Sequence, residues 1–225
     1  IRTGTAWNGA GGDISLAVGS GNTGDGGDVQ VFGGDTTAVG QQGGTVFLKA
    51  GDGKSPHSQD GGDGGKLVLR GGDGFGTATT DDGGAIEVTG GLTYGGRGGN
   101  IELLSGTGLA QSSGHVNIAT ANAGVKGTSG DLNIATGTTS FGTSGVMKLS
   151  TGRAIAGHGG DIEVRVGEGT SGVGGHVLIA SGNTTDNARG GHVEISSGFS
   201  HCTSSGDISL VTPNAGAVGV SGSVY

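Results

Sequence analysis

One short pattern recurs along the whole chain and restricts its fold more than any other feature. A polar residue is followed by alternating aliphatic and polar positions and then by glycine, as in Asp131-Leu132-Asn133-Ile134-Ala135-Thr136-Gly137. The pattern starts at residues 13, 28, 45, 66, 85, 100, 115, 131, 146, 161, 176, 192 and 207, and a last start lies at 223. Such alternation places the aliphatic side chains on one face of a strand.

The aliphatic positions form two uninterrupted columns in a chain that is only 31% hydrophobic. The first column is Ile14, Val29, Val46, Leu67, Ile86, Ile101, Val116, Leu132, Met147, Ile162, Val177, Val193, Ile208 and Val224. The second is Leu16, Val31, Leu48, Leu69, Val88, Leu103, Ile118, Ile134, Leu149, Val164, Ile179, Ile195 and Leu210. These columns predict the core-facing side of a repeated strand.

The usual spacing between starts, about 15 residues, is too short for helical repeats or propeller blades. It predicts an all-β fold: a single-stranded β-solenoid (β-helix) of about 14 coils, with two short strands per coil and a thin aliphatic core. The second strand would follow the turn glycine, with small inward residues such as Thr139 and Ala154. We expect the Gly-Gly pairs at the corners to supply positive φ and close backbone approach. The solenoid would be one domain over 1–225, with longer-loop coils at 28–84.

Composition excludes several classes of function. The net charge is −8 and the 11 Lys and Arg residues are scattered, so no nucleic-acid partner is expected. No apolar run is long enough to span a membrane. The single cysteine, Cys202, has no partner for an internal disulfide. No set of catalytic residues stands out, so the chain is not expected to be an enzyme, and a polysaccharide-active solenoid is the poorest alternative.

The two ends of the chain read as halves of one repeat. Joining Ser223-Val224-Tyr225 to Ile1-Arg2-Thr3-Gly4 of a second copy restores the pattern in register. Uncapped solenoid edges also favour edge-to-edge pairing. The sequence therefore predicts a structural subunit of an extracellular fibril or surface filament. Copies of the subunit would assemble head to tail into a homopolymer, or the chain would be one period of a longer solenoid.

Two groups of side chains are candidate metal sites, and the first is a ladder. Asp161, His176, His192 and Asp207 occupy the first polar position of four successive repeats, where two imidazoles flanked by carboxylates can bind a transition metal. The alternative is a solvent-facing ladder of His–Asp hydrogen bonds.

The acidic loops of the longer repeats are the second candidate. Asp52, Asp60, Asp63 and Asp73 offer the oxygen ligands that calcium prefers, and solvated turn acids are the alternative. No cofactor is expected, with calcium in these loops as the one alternative. Asn183-Thr184-Thr185 is a sequon for N-glycosylation in a secreted protein.

Two resemblances bear on function. The repeated phrases Gly11-Gly12-Asp13-Ile14-Ser15-Leu16 and Gly26-Gly27-Asp28-Val29-Gln30-Val31 resemble glycine-rich β-solenoid repeats of large surface proteins in algae and bacteria. This resemblance implies an extracellular or cell-surface structural role. The expected architecture is also similar to that of the antifreeze β-solenoids, which makes ice binding the alternative function, although no regular Thr array is present. A surface adhesin or glycan-binding solenoid is a further alternative.

Overall fold

The computed structural model describes all residues, 1–225, and contains neither a helix nor a strand. The predicted all-β solenoid, or β-helix, is therefore wrong. The chain has twelve backbone–backbone hydrogen bonds, whereas a folded protein has about one internal hydrogen bond per residue. None of the twelve joins equivalent positions of successive repeats, as the stacking of coils requires. Each lies within a single loop instead.

The thin aliphatic core that was expected is also absent. No side chain is buried, and the accessible surface is 22915 Å². A protein of 21.3 kDa folded around a core exposes about 9,000 Å². The aliphatic columns are therefore in contact with water in the isolated chain.

A different unit repeats in the structure. Each repeat consists of a six-residue stretch, called here a segment (for example 131–136), and the loop that follows it (137–145). The thirteen segments have no regular hydrogen bonding, and the fourteen loops range from nine residues, as in 137–145, up to the length of 51–65. The loops are 4–12, 19–27, 34–44, 51–65, 72–84, 91–99, 106–114, 121–130, 137–145, 152–160, 167–175, 182–191, 198–206 and 213–222. Compact loops of this length whose ends meet are Ω-loops.

The first and last residues of a loop, called here its neck, come close together in seven of the fourteen loops. In loop 34–44 the amide of Gly44 donates to the carbonyl of Gly34 at 2.7 Å. A Cβ added at Gly44 would lie 2.8 Å from the backbone nitrogen of Gly34, which is too close for any side chain. The last residue is glycine in all fourteen loops. The predicted close approach at the corner glycines is found, but it joins the two ends of one loop.

Positive φ occurs within the loops rather than at the corner Gly-Gly pairs, where it was expected. The residues concerned are Asn8, Gly24, Gly40, Gly142, Ala156, Gly172 and Gly219. Asn tolerates this region and Gly enters it freely, but Ala156 at φ 58° carries a strained backbone. A left-handed residue near the tip is what turns these loops back on themselves.

The chain divides into two units, Ile1–Asn117 and Ile118–Tyr225. The first unit contains the three long loops, 34–44, 51–65 and 72–84, which fall in the longer repeats at 28–84. The second contains only loops of nine or ten residues. The expectation of a single domain over 1–225 stays a prediction.

Candidate functional site

The most regular surface of the molecule is made of the aliphatic pairs, defined as the second and fourth residues of each segment. First members such as Leu132 and Ile162 are roughly half exposed, at 56% and 53%. Second members are more exposed, for example 67% at Ile134. Because the pairs recur at nearly constant intervals, the chain presents thirteen similar apolar contact points to solvent.

Segment 161–166 keeps the alternation that the sequence pattern predicts. In segment 161–166 the guanidinium of Arg165 forms an ion pair with the carboxylate of Glu163, two residues away. Side chains at i and i+2 lie on the same side of an extended backbone. Ile162, Val164 and Val166 therefore lie on the other side of this segment. The polar and apolar faces are distinct even without a sheet.

A second set of apolar side chains lies at the tips of the loops. Many loops carry one large apolar residue near the middle, and these residues are almost fully exposed. They include Trp7, Val39, Phe75, Tyr94, Leu109, Val125, Phe141, Ile155, Val173 and Val218. Their type and position vary from loop to loop, whereas the aliphatic pairs keep one type and one position.

The six residues predicted to form the assembly interface are Ile1, Arg2, Thr3, Ser223, Val224 and Tyr225, and all are exposed. Thr3 packs its methyl group toward Gly12, at the neck of the first loop. A single chain does not test their association with a second copy, which stays a prediction. This interface was predicted because the two ends would complete one β-strand, but neither end of the chain forms a strand.

The predicted transition-metal ligands Asp161, His176, His192 and Asp207 each begin a segment and are exposed. Nowhere in the chain do three His, Cys, Asp or Glu side chains come together as a metal-binding group. The structure thus does not bring the four side chains together in one metal-binding group. Their joint use as ligands stays a prediction from the sequence.

Two of the four predicted calcium ligands are already paired with cations. Asp52 binds the ammonium of Lys49 at 2.8 Å, and Asp73 binds the guanidinium of Arg70 at 2.7 Å. The amide of Asp60 donates to Nδ1 of His57, while Asp63 is exposed. In both ion pairs the cation is the fifth residue of a segment and the carboxylate is the second residue of the following loop.

The glycosylation sequon lies in loop 182–191. Asn183 is the second residue of this loop and is exposed. Thr184 accepts a hydrogen bond from the amide of Asp186 through Oγ1. The position is open to a modifying enzyme, and glycosylation of Asn183 stays a prediction.

The sequence pattern gave no role to the last residue of each segment, called here the pre-loop residue. In the structure it lies beside the glycine that ends the loop: a Cβ added at Gly145 would be 3.5 Å from Thr136, and one added at Gly206 would be 3.7 Å from Ser197. A signal was present in the sequence, because this position is limited to Gly, Ala, Ser, Thr and Val. These are the small and β-branched residues that fit beside a backbone.

The chain forms no pocket. It has no helix at all, and hence none with the length and apolar character needed to cross a membrane. The chain matches no protein-family model, no curated protein and no solved structure.

Proposed function

We propose that the chain is a structural protein that associates with further copies of itself through its aliphatic pairs. One observation carries this proposal: thirteen pairs are exposed, and no part of the chain covers them. Exposed apolar surface that recurs in this way is typical of interaction sites. The resemblance of the repeats to those of surface proteins supports an extracellular or cell-surface location.

The size of the apolar contribution explains why the pair is repeated. Burying what remains exposed of one pair contributes about 2–4 kcal/mol, since complete burial of an aliphatic side chain contributes about 1.5–3 kcal/mol. Association of two proteins costs about 4–15 kcal/mol before any contact is counted. One pair does not offset this cost, but several pairs engaged in parallel do. A regular repeat supplies several pairs at a fixed interval.

Sedimentation velocity of the whole chain over a range of concentrations tests the proposal. We expect the average mass to rise with concentration between about 1 μM and 1 mM, the range that corresponds to modest association free energies. The test variant replaces four consecutive first members, Ile101, Val116, Leu132 and Met147, with Asn. We expect this variant to need at least tenfold higher concentration for the same average mass.

A matched control separates the aliphatic pairs from apolar surface in general. It replaces Leu109, Val125, Phe141 and Ile155, four apolar loop-tip residues from the same part of the chain, with Asn. These side chains are more exposed than the pairs, so non-specific hydrophobic association would respond to them more strongly. We expect wild-type behaviour from the control. A wild-type chain that stays monomeric, or a control that dissociates as much as the test variant, would overturn the proposal.

A further inference from the structure

The fourteen loops fall into two classes according to their necks. In seven loops the amide of the last residue donates to the carbonyl of the first, and in the other seven this hydrogen bond is missing. The bonded loops are 34–44, 51–65, 72–84, 91–99, 106–114, 182–191 and 198–206. Loop length does not separate the classes, since loops of nine residues occur in both.

The pre-loop residue separates the two classes without exception. Before the bonded loops it is small: Gly33, Ala50, Gly71, Gly90, Ser105, Ser181 and Ser197. Before the non-bonded loops it is β-branched: Thr3, Val18, Thr120, Thr136, Thr151, Val166 and Thr212. Five of the non-bonded loops begin with glycine, as the bonded ones do, so the first loop residue does not explain the difference.

The atoms in contact at the neck give the physical reason. A Cβ placed on Gly145 would meet Cβ and Cγ2 of Thr136 at 3.5 Å, and one placed on Gly27 would meet Cγ1 of Val18 at 2.8 Å. The branched side chain therefore lies against the last glycine of the loop. At the bonded neck of loop 91–99 the nearest atom is the backbone nitrogen of Gly91, at 2.9 Å from such a Cβ. At the bonded necks after serine the serine Cβ is equally near, but the backbone nitrogen of the first loop residue also lies within 4 Å, whereas no backbone atom does so at Gly145 or Gly27. A γ-methyl group occupies the space in which the two backbones would otherwise meet.

The two classes occur in runs along the chain. Five successive loops from 34–44 to 106–114 are bonded, the four from 121–130 to 167–175 are not, and the two at 182–191 and 198–206 are bonded again. Four of the five residues that are partly shielded from solvent, Gly33, Ala50, Gly71 and Gly90, are pre-loop residues of bonded loops. The other three pre-loop residues of bonded loops, Ser105, Ser181 and Ser197, are exposed, so shielding accompanies the hydrogen bond in the loops from 34–44 to 91–99 only.

We infer that the pre-loop residue is a conformational selector: a small residue lets a loop close with a backbone hydrogen bond, and a β-branched residue prevents it. The selector acts repeat by repeat, independently of loop length. It divides the chain into stretches whose loops are closed by hydrogen bonds and stretches whose loops are held by side-chain contact alone. This inference does not depend on self-association.

Two loops of equal length provide the test. Loops 198–206 and 137–145 both have nine residues and glycine at both ends, but the first follows Ser197 and the second follows Thr136. The readout is hydrogen exchange of the Gly206 and Gly145 amides, measured by NMR on the whole chain. Each amide lies nine residues from the substituted position, so its intrinsic exchange rate does not change with the substitution.

We expect the Gly206 amide to exchange about fivefold more slowly, relative to its intrinsic rate, than the Gly145 amide, which is the effect of one hydrogen bond of ordinary strength. Ser197→Thr removes this protection, and Thr136→Ser creates it at Gly145. Ser197→Ala keeps the protection, since Ala50 precedes a bonded loop, and Thr136→Val leaves Gly145 unprotected.

The inference is overturned if the amides of Gly206 and Gly145 are equally protected in the wild-type chain. It is also overturned if Ser197→Thr leaves the protection of Gly206 unchanged, or if Thr136→Ser leaves the protection of Gly145 unchanged. Loss of protection in Ser197→Ala also overturns it, because the hydroxyl group rather than the branching would then close the loop.

Discussion

The neck of loop 34–44 allows a steric prediction with a control in the same neck. Replacing Gly44 with Ala places a Cβ 2.8 Å from the backbone nitrogen of Gly34, whereas ordinary contact begins at 3.4 Å. The backbones must separate by about 0.6 Å, which takes the 2.7 Å hydrogen bond from Gly44 to Gly34 beyond the usual range for N–H···O bonds. The hydrogen bond is then stretched and weakened.

The weakening amounts to at most about 1 kcal/mol, the net contribution of one hydrogen bond, or up to about a fivefold change in amide protection. The assay is hydrogen exchange at residue 44, corrected for the intrinsic rates of Gly and Ala. Gly34→Ala is the control, because a Cβ at Gly34 has no atom within 4 Å and leaves the acceptor carbonyl in place. Equal protection in Gly44→Ala and the control would refute the steric argument for glycine at the ends of the loops.

Two further predictions concern the ion pairs and the loop tips. Raising the salt concentration from 20 mM to 500 mM should lower the protection of the Gly84 amide up to about threefold and leave that of the Gly99 amide unchanged. The reason is that loop 72–84 has an exposed ion pair, Arg70–Asp73, at its neck, and loop 91–99 has none. An equal response at Gly99 would show that the ion pair has no part in it. The left-handed region costs a residue with a side chain about 1–2 kcal/mol. In Ala156→Val, residue 156 should therefore leave this region, whereas in Ala156→Asn it should remain there. The amide–α-proton coupling at residue 156 measures φ, and an unchanged coupling in the Val variant would contradict the prediction.

The position of the ion pairs agrees with the cost of closing longer loops. Loops 51–65 and 72–84 are the longest in the chain, and each has a Lys or Arg before its neck that binds an Asp just after it. Closing loop 51–65 rather than a nine-residue loop costs about 0.5 kcal/mol more in chain entropy. An exposed ion pair contributes about 0.2–1 kcal/mol, which is enough to offset this difference.

The sequence predicted the boundaries of the repeat but not how the repeat folds. The glycines before seven of the segments mark places of close backbone approach. Alternation determines which side chains lie together, but it does not determine what covers them. The predicted core assumed that every strand pairs with the equivalent strand of the next repeat.

The structure forms shorter connections because they require less ordering of the chain. A hydrogen bond from Gly99 to Gly91 joins the two ends of one short loop, whereas coil-to-coil pairing would have to align whole segments of successive repeats, such as 100–105 with 115–120. The corner glycines that were expected to turn a coil permit this nearer contact. The role of Thr136 and Ser197 was missed because both were treated as ordinary small residues, although only Thr has the methyl group that lies on the opposing glycine.

Closure at the neck also makes the seven bonded loops interchangeable. Loop 51–65 is six residues longer than loop 91–99, yet both begin and end at glycines joined by the same 2.9 Å hydrogen bond. The distance between the segments on either side is therefore set by the neck and not by the amount of chain beyond it. A peptide inserted at a tip such as that of loop 51–65 would be displayed without shifting the segments, so the repeat is a scaffold on which loop sequence can vary freely.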